Sequence, residues 1–291
     1  MPPKIDKISL YEGRRLGATI NVVFDFLRES RSPWLRFVLL PLLLMSAVQA
    51  SVGGIRLEDS SMAEMLITGF AWPVPHLSDS LYTICLISGI FLTSVTTVSL
   101  VLAYHQRPQA AEGLTLRVIY PYITHTLKRV WTVIPLLTLI VVLISQSSDF
   151  AILLAIVMLV LPMMLVCPVL TFEPLPAGKA WQRALGWGYL SWGQILMLWA
   201  GMTLICFFLR SMAALPTLLV ESLKDALLPS SQMADWLSTF ISWSTDFLTH
   251  LVCYLTFSLL TLMYTFYYGD KAQRYRRSQV EDELNIFETL R

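Results

Sequence analysis

The sequence predicts an all-α, polytopic membrane protein: six transmembrane helices in three repeated units, each a surface amphipathic helix plus a helical hairpin. Three observations predict it. The chain is 55% apolar and only 14% charged, with a mean hydropathy of +0.62, where a soluble domain carries roughly 25% charged residues. Six apolar runs along it read as membrane spans, five with the length needed to cross a bilayer and the third somewhat short. Before each odd-numbered run stands a segment with apolar residues on one helical face only, the pattern of a helix lying in the membrane surface.

Residues 1–13 show no apolar periodicity and are expected to form a flexible N-terminus. They do not open a signal peptide, because residues 1–33 hold ten charged side chains and no apolar stretch. Unit one spans 14–104. Leu16, Ile20, Val23, Phe24 and Leu27 share a helical face, and Arg14, Arg15, Asn21, Asp25, Arg28 and Glu29 lie largely off it. Ser32-Pro33 is expected to break that helix, since proline disfavours the α conformation in the residue before it. Trp34 then marks the interface at which span one, 34–52, begins. In the polar connection 53–80, Ser61-x-x-Glu64 reads as a capping box for a short helix, and Trp72-Pro73-Val74-Pro75 forces extended chain. Span two, 81–104, carries Ser88, Thr93, Ser94, Thr96, Thr97 and Ser99. Such hydroxyls either hold packed helices together or line a polar cavity.

Unit two spans 112–172. Leu116, Ile119, Tyr120, Ile123 and Leu127 repeat the surface-helix face, interrupted by Pro121. Span three, 130–145, reaches only roughly 24 Å at 1.5 Å per residue, so it is expected to recruit the preceding turn or tilt in thinned lipid. Span four, 150–172, contains Pro162 and Pro168, kinks that neighbouring helices must compensate. Unit three spans 177–268 and is the clearest copy; the chain is expected to be organised around residues 176–219. Ala180, Trp181, Ala184, Leu185, Gly188 and Trp192 lie on one face, with Lys179, Gln182 and Arg183 off it. Span five, 194–215, follows. Leu218, Leu219, Leu223, Ala226 and Leu227 then make another amphipathic face, and Trp236 and Trp243 lead into span six, which ends near Tyr268. The tail, 269–291, is basic first and acidic later.

Orientation follows from the basic residues. Seven of the 21 stand in the segment through Arg36, four between His105 and Arg129, two in 173–193 and five in the tail; only Arg56, Arg210 and Lys224 fall on the other side. That asymmetry places both termini and all three surface helices in the cytoplasm. A net charge of +1 gives no pull toward nucleic acid. Cys85, Cys167, Cys206 and Cys253 all fall within predicted spans, without Cys-x-x-Cys spacing, and read as small packing residues.

Few residues point to chemistry. Asp246 and His250, four apart, share a helical face near the outer end of span six. The pair reads either as a proton or cation site or as a helix-start carboxylate with a packed imidazole behind it. Lys271, Arg274, Arg276 and Arg277 directly follow span six, where basic side chains either attract anionic lipids or merely set topology. No phosphate loop, nucleophile elbow or metal-ligand pair occurs, so no cofactor or metal is expected.

Over AGKAWQRALGWGYLSWGQILMLW, residues 177–199, the chain resembles a poorly characterised group of bacterial six-span proteins, similar to the membrane domain attached to some glycerophosphoryl diester phosphodiesterases. The resemblance implies the same six-span architecture, with surface helices feeding the spans. It implies no diesterase activity, since the catalytic part of those enzymes is a separate soluble barrel for which this chain has no room. The expected function is an integral membrane scaffold or accessory subunit whose partners are the bilayer, anionic lipids or another membrane protein. The rivals are a small transporter or export factor with a polar cavity between spans two, four and six, and an intramembrane enzyme centred on Asp246 and His250.

Overall fold

The computed structural model describes residues 8–53, 80–106, 115–135, 162–227 and 232–289. All regular structure among them is helical. Residues 61–79, with the expected capping box and the Trp72–Pro75 break, lie outside the described residues, as do 136–161, which hold most of span three and the first half of span four.

Helices α1 (Leu16–Glu29), α5 (Leu116–Val130) and α7 (Ala177–Leu190) form where one-sided periodicity predicts surface helices. Each turns one narrow strip inward: Thr19, Val23 and Phe26 of α1, Ile119, Thr126 and Val130 of α5, and Ala180, Ala184 and Gly188 of α7 are buried. Residues flanking each strip, such as Leu27, Ile123 and Trp181, are partly buried against the core, and the opposite face is exposed, so the helices ride on the bundle.

Between α1 and the next helix the chain bends at Ser30, whose φ and ψ are −96° and 21°. The backbone N–H and the hydroxyl of Ser30 both donate to the Phe26 carbonyl, at 2.8 and 2.6 Å, and Trp34 N–H donates to the Ser30 carbonyl at 2.9 Å. The expected break at Ser32-Pro33 therefore falls two residues earlier. Pro33 sits in the first turn of α2 (Arg31–Trp34), where a missing N–H forfeits no intrahelical bond. A π turn (Leu35–Leu39) joins α2 to α3 (Leu40–Gly53) just before Pro41, which has no N–H for a regular ladder. After α7 the chain bends at Ser191 in the same way, with φ −118° and ψ 22°. Its N–H and hydroxyl donate to the Trp187 carbonyl, and Ile195 N–H donates to the Ser191 carbonyl at 3.0 Å. After α5 the connection is instead a short 3-10 turn, Trp131–Val133.

Four helical stretches among the described residues are long and apolar enough to cross a membrane: Arg31–Ser51, Ile84–Gln106, Trp192–Leu209 and Thr239–Glu281. Their burial separates centre from periphery. In α4 (Ser80–Gln106) 72% of the span window is buried, and Ile84, Ser88 and Leu92, at helical spacing of four, are its open edge. In α8 (Trp192–Leu227) only 18% of the Trp192–Leu209 stretch is buried, and Met197, Leu204, Phe208 and Met212 face outward. Beyond the short α6 (Val166–Phe172), the remaining element is α9 (Gln232–Thr289). Its 58 residues extend about 87 Å at 1.5 Å per residue, so span six and most of the tail are one uninterrupted helix. Helix α9 packs on α1, α3, α4, α6 and α8. The chain is thus organised around α9 rather than around residues 176–219.

Candidate functional site

Where α4 crosses α9, the Tyr254 ring of α9 lies directly over Gly89 of α4. A Cβ at Gly89 would overlap the Tyr254 ring, so this position requires glycine. Two turns on, Thr97 Oγ1 lies 3.1 Å from Ser258 Oγ, and Ser94 Oγ lies 3.4 Å from Thr261 Oγ1. The other hydroxyls of α4 turn back on their own helix. Thr93 donates to the Gly89 carbonyl at 2.6 Å, Thr96 to the Leu92 carbonyl at 2.9 Å and Ser99 to the Val95 carbonyl at 2.6 Å. Thr93, Thr96 and Thr97 are buried, whereas Ser88 is exposed at the open edge of α4. Cys85, Cys167 and Cys253 form no disulfide among the described residues.

Asp246 and His250 stand one turn apart on α9, as the spacing predicts. His250 is buried, and its Nδ1 lies 2.6 Å from the main-chain oxygen of Asp246. The imidazole thus bonds back along its own helix. One turn before Asp246, Trp243 Nε1 donates to Ser51 Oγ at 3.3 Å and ties this end of α9 to α3.

Among the described residues the densest polar constellation lies toward the other end of α9, where an arm, residues 8–15, crosses the helix. Leu10, 2% exposed, sets its carbonyl so close to Gly269 that a Cβ there would collide with it. Next to Gly269, Asp270 is 3% exposed. Its Oδ1 accepts the Arg14 backbone N–H at 2.9 Å and Arg274 Nε at 2.9 Å, and Arg274 Nη2 donates to the Arg14 carbonyl at 2.8 Å. One carboxylate and one guanidinium thus hold both sides of a single peptide unit pair in the arm. The Arg14 side chain is buried over the Phe266 ring, 5.9 Å from its centroid, and donates to Ser9 O and to Glu12. Tyr11 rests edge-on to His105 and Tyr268, with the Arg276 guanidinium 4.8 Å above its ring.

Beside this clasp, Glu173 Oε2 accepts Arg183 Nη1 at 2.6 Å. The Arg183 guanidinium lies 5.9 Å from the Trp187 ring and 5.4 Å from the Tyr275 ring, which docks α7 onto α9. Tyr267 donates its hydroxyl to Gln194 Oε1 at the start of α8.

Of the four basic residues read from the sequence as lipid contacts, Lys271 lies over the Tyr267 ring at 5.4 Å, Arg274 and Arg276 hold the arm, and Arg277 is exposed. Sequence reasoning missed Asp270, Arg14, Tyr11 and Glu173. A signal for Asp270 was present: a lone glycine and acid interrupt the aromatic-to-basic run Tyr264-Thr-Phe-Tyr-Tyr-Gly-Asp-Lys. Among the described residues no group of three His, Cys, Asp or Glu side chains is placed to hold a metal ion. No protein-family model, curated protein or solved structure matches the chain.

Proposed function

We propose that the chain is an integral membrane scaffold or accessory subunit that binds lipid, or a membrane-protein partner, through its surface helices. The observation that carries this reading is the three-way division of α5. Ile119, Thr126 and Val130 are buried; Leu116, Tyr120, Leu127 and Trp131 form an exposed apolar strip; Arg117, His125 and Lys128 form an exposed polar one. A helix lying in the bilayer surface against a bundle needs these three faces, for protein, acyl chains and water. In α1 the same register recurs: Phe24 is an exposed apolar residue beside exposed Asn21, Asp25 and Arg28.

The matching bends at Ser30 and Ser191 support a common surface-helix-and-hairpin plan for units one and three, and α5 supplies the surface helix of unit two, which together make six spans. The distribution of Lys and Arg supports cytoplasmic termini. The likeness to the bacterial, diesterase-attached membrane domain rests on residues 177–199 and supports the architecture and a bacterial inner membrane, not an activity. A transporter needs hydroxyls left open to solute along α4; those of Thr93, Thr96 and Thr97 are bonded within the bundle, which favours the scaffold.

Two experiments test the reading. Cysteines introduced at Glu12, Lys179 and Gln279 of a cysteine-free chain should all be labelled from the cytoplasmic side only; labelling of any from the outside sinks the topology. Purification in mild detergent should retain anionic phospholipid or a stoichiometric membrane protein, and R117Q/K128Q should lower that retention. Solute uptake into proteoliposomes that hold the chain alone would overturn the scaffold in favour of a transporter.

A further inference from the structure

Arg274 and Arg276 are the two groups on α9 that grip the arm, and they stand in the basic run that follows the predicted end of span six. Arg274 is more than half exposed, at 57% of its side chain, while its partner Asp270 is almost fully covered at 4%. The guanidinium therefore faces both ways: inward to Asp270 and the Arg14 carbonyl, outward to the surroundings. Arg276 is exposed above the Tyr11 ring. No backbone–backbone hydrogen bond ties residues 8–14 to the bundle among the described residues. What holds the arm is the buried Leu10, the Arg14 side chain over Phe266, the Tyr11 ring and the Asp270–Arg274 clasp.

We propose that the arm is a strap that anionic lipid headgroups displace. This rests on the reading of this end of α9 as lying at the headgroup level of a membrane. A guanidinium binds phosphate through two parallel charge-assisted bonds. Its present partners in the arm are weaker: Arg274 Nη2 reaches a neutral carbonyl, and Arg276 an aromatic face. Arg274 Nε can stay on Asp270 while its Nη atoms turn to phosphate, which leaves the Arg14 N–H bond to Asp270 as the arm's remaining polar tie. In a neutral bilayer the strap stays closed, with Tyr11 lodged between His105 and Tyr268. In an anionic bilayer, headgroup phosphates take Arg274 and Arg276. The freed arm then carries Arg14 and Arg15 to the same leaflet, because a negative surface potential attracts juxtamembrane basic segments. Opening uncovers the Tyr268 ring, on which Tyr11 now rests and which continues into an aromatic floor through Phe172 at 5.7 Å and Trp187 at 6.1 Å. The scaffold would thereby present that floor only on membranes rich in acidic lipid.

Hydrogen exchange of the full chain tests this in nanodiscs of phosphatidylcholine alone and of phosphatidylglycerol alone. The amides of residues 9–15 should exchange about tenfold faster or more in the phosphatidylglycerol discs, as two basic contacts shift to the leaflet. Amides of α4 should be unchanged between the two, and high salt should restore the slow exchange by screening. R274Q/R276Q should exchange fast in both discs and lose the lipid dependence. Equal exchange of the wild-type arm in both discs overturns the proposal. So does a double variant that keeps the wild-type lipid dependence, since the arm would then answer through its own basic residues. The wild-type comparison needs no substitution, so it decides even where the double variant unfolds. A chain that enters neither disc refutes the membrane-spanning reading instead.

Discussion

Thr97 and Ser258 meet hydroxyl to hydroxyl, 3.1 Å apart and buried, where α4 crosses α9. In a lipid-embedded bundle such a bond stabilises by about 0.6 kcal/mol on average and by at most about 1.7. Thr97→Val and Ser258→Ala should each lower stability by that order, and the double substitution should cost less than their sum. Unfolding of the four chains in mixed micelles measures the coupling. Strict additivity, with an altered solute permeability, would instead mark these hydroxyls as the wall of a cavity.

The close approach of α4 to α9 gives a second prediction. With no room for a Cβ beside the Tyr254 ring, Gly89→Ala should destabilise by about 1–3 kcal/mol through overpacking, and Gly89→Leu by more. Placing Tyr254→Leu in the same chain should return part of the loss. The check is the thermal midpoint in detergent of the single and double variants; a midpoint indifferent to Gly89→Ala would mean that the helices separate freely.

Asp270 accepts two hydrogen bonds at 3% exposure. Truncating it to alanine leaves the Arg14 N–H and one side of Arg274 without an acceptor. Because Arg274 can rehydrate, the expected cost is about 2 kcal/mol, the range of a hydrogen bond to a charged group. Asp270→Asn keeps an acceptor and should cost less. Gly269→Ala should release the arm by a different route, through collision with the Leu10 carbonyl. Limited proteolysis within residues 8–15 should rise in both Asp270→Ala and Gly269→Ala, and cleavage unaltered in both would contradict the clasp.

Arg183 joins three partners: Glu173, Trp187 and Tyr275. Arg183→Lys keeps the charge but loses the planar fork and the stacking, an expected loss of about 1 kcal/mol. Arg183→Gln also strands the poorly exposed Glu173 carboxylate and should cost more. Thermal melts at low and high salt separate the contributions, since only the Coulombic part shrinks as salt rises. Equal midpoints for the Lys and Gln variants would mean that the charge contributes nothing.

Residues 16–29, 116–130 and 177–190 were legible as helices from the sequence alone, because one-sided 3.6-residue periodicity is a local property that any helix must satisfy to bury its strip. The apolar runs that become α3, α4, α8 and the middle of α9 were legible for a similar reason, since length and composition suffice. Even so, the bend beside Pro33 shifted to Ser30, whose hydroxyl serves the Phe26 carbonyl while proline fits the first turn of the next helix. Only the tertiary structure decided which run lies at the centre, that α9 is the helix on which α1, α3, α4, α6 and α8 pack, and that Arg274 and Arg276 grip an arm at the far end of the chain. The Arg14–Asp270 bond joins positions 256 residues apart. A lone carboxylate carries no local pattern that names so distant a partner; burial and the packing of aromatic rings around it select that partner.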